Sequence, residues 1–279
     1  MNRLGGQHEK AWQILLEIEP AVREIGFPRE MMRLELNKAE ILRERGEIKE
    51  ALTINEEVAD RALLQGDEQM RLYAISNGAL CRVHLGEPEQ ADKEFQQVAD
   101  DPHSGSTEEI LPNAIYNRGW LRICGGRWEE AKPYLARAAD LYSTRGDNDR
   151  AGRAWSLYAW ADLRLGNVEN AIHVARKTEE KGLTLLRMLE YALKQLPTPA
   201  GTATANINAI FRDEPDQRSL LLLWLCEGVP QNETEQSPVL QACHDAITQA
   251  HNLTFKNVLE RTLLEKGLTI PSPSPTLPS

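Results

Sequence analysis

The sequence predicts an all-α protein built as an array of antiparallel helix pairs, and three observations predict it. A Gly-x4-Ala pattern recurs every forty residues, at Gly6/Ala11, Gly46/Ala51, Gly86/Ala91, Gly126/Ala131 and Gly166/Ala171. A second set of glycines, Gly26, Gly66 and Gly146, keeps the same spacing between the first set. The segments between glycines carry apolar residues at helical rather than alternating spacing. A fixed period of this length is the signature of a repeat array.

The elements follow in order. Residues 1–6 read as a turn, and 9–19 as a helix carrying Ala11, Ile14, Leu15 and Ile18. On this reading the array opens on the second helix of a unit whose first helix is absent. Since repeats bury their apolar faces against neighbours, one face is then expected to lie uncovered, either because a longer parent was cut or because something else packs there. Pro28 suits a first helical turn and Gly46 the position past a last one, so a helix is expected between them, followed by one through Ala51, Leu52, Ile54 and Val58. The next unit repeats the plan from Met70 to Gly86 and from Pro88 to Ala99. A looser junction, Asp101 to Ser106, leads into units at about 107–142 and 149–181.

Each feature of the Gly-x4-Ala pattern has a physical reason. Glycine accepts the left-handed conformation that ends a helix. A small alanine lets the next helix approach closely. Glu47, Glu87, Glu129 and Glu169 place negative charge at the positive end of the second helices. Another small residue, Ala39, Ala79, Gly119 or Ala159, stands seven before each turn glycine.

Units such as Tyr116-Asn117-Arg118-Gly119-Trp120-Leu121 followed by Gly126-Arg127-Trp128-Glu129-Glu130-Ala131 resemble tetratricopeptide repeats. The resemblance covers residues 6–182 and implies a right-handed α-superhelix with a concave groove. The period departs from the family's usual 34 residues, and the proline that closes a unit is missing. The long period resembles the helical repeats of bacterial signal-transduction regulators, such as the maltose-regulon activator and the peptide-pheromone receptors.

Three domains are expected: a repeat array over residues 1–182 (a half repeat plus four repeats), a helical cap over 183–270, and a disordered Pro/Ser tail over 271–279. The register breaks after Gly182, and helices are expected near 183–196, 217–226, 238–251 and 254–266. A polar outer face there would shield the last repeat.

Composition narrows the function classes. The chain has 279 residues, is 41% apolar, and carries a formal net charge of −10. That charge argues against direct nucleic-acid binding, which needs clustered Lys and Arg. No apolar run is long enough to span a membrane, and the N-terminus is not a signal peptide. The four cysteines form no CxxC pair, so a reducing cytoplasm is the simplest location. There is no phosphate-binding, nucleophile-elbow or zinc-helix motif. His8-Glu9-Lys10-Ala11-Trp12 begins like a zinc helix and lacks the second histidine. Cys243-His244 and His251 lack further ligands and read as surface groups. No cofactor, metal or catalytic site is expected, and the protein is read as a non-enzyme.

The functional signal is a ladder. Asn37, Asn77 and Asn117 are forty apart on the first helices of successive units, and the next rung is Leu157. The family resemblance implies that this position faces the groove, where an asparagine bonds the backbone of an extended peptide. A side-chain amide both donates and accepts, so it pairs with a peptide unit of any sequence. Helical spacing gives the neighbours Arg33 and Glu40, Tyr73 and Leu80, Asn113, Tyr116 and Trp120, and Arg153 and Trp160. Aromatics and arginine dominate binding hot spots, and Arg33 and Arg153 near opposite ends would favour an acidic ligand. The competing reading is that the asparagines cap or cross-link helices and that the aromatics are core.

Two functions therefore stand. The first is a peptide- or partner-helix-binding scaffold with site residues Asn37, Asn77, Asn117, Arg33, Tyr73, Tyr116, Trp120, Arg153 and Trp160. The second is a ligand-sensing segment of a larger signal-transduction regulator. Self-association through the N-terminal half repeat is a further expectation.

Overall fold

The fold is that of a computed structural model describing residues 3–106 and 109–179, together with Arg261. These residues, Arg261 apart, belong to the first of two units into which the chain divides, Met1–Leu183. The expected cap and Pro/Ser tail lie outside the described residues.

Among the described residues the structure is entirely helical, an α-solenoid of paired antiparallel helices. The helices are α1 (Arg3–Ile25), α2 (Pro28–Glu44), α3 (Ile48–Gln65), α4 (Glu68–His84) and α5 (Pro88–Asp100), then α6 (Ile110–Cys124), α7 (Trp128–Thr144), α8 (Asn148–Arg164) and α9 (Val168–Glu179). A short 3₁₀ turn, Ser104–Ser106, fills the looser junction before α6.

The turn glycines do what the period implies. Gly26, Gly46, Gly66, Gly86, Gly126, Gly146 and Gly166 all have positive φ, between 69° and 85°. The residue after each unit's turn glycine donates its N–H five residues back: Glu47 to Leu42 O at 2.9 Å, Arg127 to Arg122 O at 2.8 Å. That bond satisfies a carbonyl left orphaned by the helix end. The caps at helix starts are less uniform. Asp67 and Asp147 accept hydrogen bonds from the N–H groups of Met70 and Arg150, each at 3.0 Å. Glu47 and Glu87 stand at N-cap positions without a side-chain cap bond; a longer side chain does not reach back to the first turn as aspartate does.

The turn expected over residues 1–6 is not formed. Gly6 lies within α1, which runs unbroken from Arg3 to Ile25, through Pro20. Gly6 thus stays helical despite its register: the forty-residue spacing alone does not place a turn.

The even-numbered helices form one layer and the odd-numbered helices another. The even helices also touch one another directly, α2 with α4, α4 with α6 and α6 with α8. The core is consequently a series of small cores, each made where one odd helix is clasped by two even ones. Val58 of α3 is buried with Met32 and Leu36 of α2 and Met70 and Ala74 of α4. Phe95 of α5 is likewise buried between α4 and α6. The pattern's alanines, Ala51, Ala91, Ala131 and Ala171, are all buried, as are Ala39, Ala79, Gly119 and Ala159.

Candidate functional site

The ladder asparagines sit on the even helices, which form the tighter layer of the solenoid. Each helix shows one strip toward open space, and the four strips differ. On α2 the strip is open: Arg33, Asn37 and Glu40 are exposed. On α4 it is half-open, with Tyr73, Asn77 and Leu80 half-buried, and α6 repeats this with Asn113, Tyr116, Asn117 and Trp120. On α8 the strip closes: Arg153 is exposed, but Leu157 is 3% and Trp160 only 1% exposed. Trp160 is thus a core residue and does not line the strip. Trp160 keeps the register of Leu80 and Trp120 but packs inward where those two stay partly outside.

The three ladder amides share one property. Among the described residues, no hydrogen bond uses the side chain of Asn37, Asn77 or Asn117, whereas other asparagines do bond. Asn113 accepts from the Tyr142 hydroxyl at 2.5 Å, and Asn55 donates to Ala51 O at 2.7 Å. Asn113 therefore belongs to the framework, while the rungs are neither caps nor cross-links. Asn37 also lines a cavity of about 360 Å³ between α1 and α2.

The surrounding side chains are held by packing. Tyr73 wedges between two of the small cores, and Trp120 packs on the edge of one of them. The Tyr116 ring meets Tyr142 edge-on, centroids 6.5 Å apart. Among the described residues, Arg33 and Arg153 pair only with exposed acids on their own helices, Glu30 at 4.0 Å and Asp149 at 3.1 Å. Such pairs contribute little, so both guanidinium groups can engage a ligand.

Two further residues, Glu109 and Arg150, mark the strip, and sequence reasoning missed them. Burial, and then the charge and hydrogen bond of Glu109, push the Tyr73 phenol above its usual range. Glu109 is itself 3.2 Å from Arg150 of α8. This chain of contacts ties α4 to α8 across the start of α6. Glu109 stands just past the looser junction, at the N-cap of α6, in register with Arg29, Gln69 and Asp149.

The arrangement offers unengaged amides at regular intervals, aromatic edges between them and a cation towards each end. Amides can pair with successive peptide units, and aromatic edges add apolar contact at low entropic cost. Among the described residues no group of three or more His, Cys, Asp or Glu side chains is placed to hold a metal ion, and no helix is long and apolar enough to cross a membrane. Cys243, His244 and His251 lie outside the described residues.

No protein-family model matches the chain, and no curated protein matches it in sequence. Solved structures do resemble it in fold. A Rap protein complexed with Competence and Sporulation Factor superposes with a TM-score of 0.59 at 14% identity, covering 94% of this chain and 74% of that one. BtubC from P. vanneervenii gives a TM-score of 0.39 at 12% identity over 83% of this chain and 97% of its own. The human IFIT1 dimer with PPP-AAAA gives 0.43 at 16% identity over 95% of this chain and 62% of its own. The likeness to the Rap protein supports a helical-repeat fold.

Proposed function

We propose that this protein is a non-enzymatic binding scaffold whose even-helix face takes an extended peptide or a partner's helix. The observation that carries this reading is the set of unengaged, solvent-accessible amides of Asn37, Asn77 and Asn117, repeated at one position of successive units. Asn77 and Asn117 would bond ligand backbone, while Tyr73, Tyr116 and Trp120 would supply apolar contact. Arg33 and Arg153 would favour carboxylates near the ligand's ends. The Rap protein with the similar fold was solved with a bound factor, which fits a solenoid used for binding.

The test is selection of peptides from a random display library against the intact chain, followed by affinity measurement on Asn77→Ala/Asn117→Ala. Loss of two bonding amides should weaken selected peptides by roughly ten- to a hundred-fold, with helix content unchanged by circular dichroism. Unchanged affinity in the double variant would sink the ladder reading.

A further inference from the structure

The even-helix strip already holds a carboxylate. Glu109, at the N-cap of α6, accepts a hydrogen bond from the Tyr73 phenol of α4 and lies 3.2 Å from Nη1 of Arg150 on α8. Tyr73 stands one turn before the rung Asn77, and Asn113 one turn beyond Glu109. The carboxylate is therefore lodged at the edge of the strip, beside the helices that carry Asn77 and Asn117. The other charges at this place are Arg33, which also acts on the Tyr73 phenol, and Asp147, 3.5 Å from Nε of Arg150.

Neither partner of the contact follows its register. At the position of Glu109 the first two units are joined directly, Arg29 to Gln69, whereas Glu109 engages Tyr73 and Arg150. At the position of Arg150 the two preceding units bury Met70 and Ile110, and here a guanidinium takes their place. The resulting ion pair does little for the fold. Its side chains are 39% and 48% exposed, and pairs so open to water contribute little to stability. The contact can be released at small cost. A phenol hydroxyl beside a guanidinium is, moreover, a donor set suited to a carboxylate.

We propose that Glu109 is an internal stand-in for a carboxylate of the bound peptide, and that an acidic ligand group exchanges with it on Tyr73 and Arg150. This rests on the peptide-binding reading and gives that site a ligand class, acidic peptides, and an internal competitor. Self-occupancy lowers the apparent affinity by the fraction of the time the place is free. Removing the Glu109 carboxylate therefore strengthens acidic ligands and leaves neutral ones alone.

Panning one random peptide display library in parallel against the intact wild type and Glu109→Gln tests it. The variant should enrich Asp and Glu, and a selected acidic peptide should bind it about tenfold more tightly than the wild type, the gain expected if the place is free about a tenth of the time. Adding Arg150→Gln should abolish the gain. Glu57→Gln removes the same charge from an exposed position on α3 and should change nothing, which separates exchange from a mere change in net charge. Amidating the peptide's C-terminus, and separately replacing its acidic side chains by amides, identifies which carboxylate takes the place; a gain that survives both would overturn the proposal. So would equal affinity of wild type and Glu109→Gln for acidic peptides, or a gain that persists with Arg150→Gln. If Asn77→Ala/Asn117→Ala weakens the selected peptides while Glu109→Gln has no effect, the scaffold reading stands and the exchange falls. If neither protein selects a peptide, both fall.

Discussion

Gly119 and Gly78 are both helix-interior glycines, yet their surroundings assign them opposite roles. A Cβ on Gly119 would meet Leu135 Cγ at 2.8 Å and Cδ2 at 2.9 Å, and Leu135 is fully buried. A Cβ on Gly78 would find its nearest neighbour at an ordinary 3.6 Å, Leu52 Cδ1. Gly119→Ala should therefore destabilise the fold by about 1–3 kcal/mol through overpacking. Gly78→Ala should be neutral or stabilising by up to about 1 kcal/mol, the helix-propensity gain. Denaturant unfolding of the two variants checks both signs. Asn55 is a second case in which identity departs from register. It is buried where the equivalent positions carry Leu15, Phe95 and Leu135, and its side-chain oxygen has no hydrogen-bond partner.

At the scale of elements, consecutive units are joined by buried ion pairs with inverted polarity. Arg122 of α6 reaches Asp92 of α5, with N–O distances of 3.0 and 3.1 Å. One unit on, at the equivalent positions, Asp162 of α8 meets Lys132 of α7 at 2.9 Å. Asp162 is fully buried and also accepts from Asn167 at 3.3 Å and from Asn170. The geometry of the joint is conserved between units while its charges change places. Burial by itself would raise the Asp92 pKa, but hydrogen bonds from Arg122 and Arg118 hold the carboxyl below its usual value of 3.8. A carboxylate depressed in this way adds stability that is complete above its unfolded pKa and is lost as pH falls through the folded one. Stability should accordingly drop below about pH 4. Asp92→Asn should be roughly 1–2 kcal/mol less stable at neutral pH, yet should lose less than the wild type on acidification. Urea unfolding across that pH window compares the two slopes.

Across the array, each described helix packs mainly on its near neighbours along the chain. Stability is then close to a sum of unit and interface terms, and damage stays local. Gly119→Ala should speed amide hydrogen exchange first in α6 and α7 and leave α2 and α3 near their wild-type protection. An equal rise along the array would mean that the solenoid opens as one cooperative unit. Ile14 and Ile18 of α1 are exposed where Val58 of α3 is buried, since α3 packs on two described even helices and α1 on one.

The sequence by itself determined helices α2 to α9, their order and the glycine turns between them. A turn glycine acts through its own φ, and the small residues act on the helix beside them, so both signals are local and repeat with the period. The positions of the ladder asparagines were legible for the same reason. Only the tertiary structure decided which rungs are open. Trp160 and Leu157 occupy the same register as Trp120 and Asn117 but turn into the core, because burial depends on what surrounds α8 and not on register. It also decided that Gly6 is helical and that Asp162 is paired with Lys132. Those outcomes depend on the surroundings of each residue, which a period does not state.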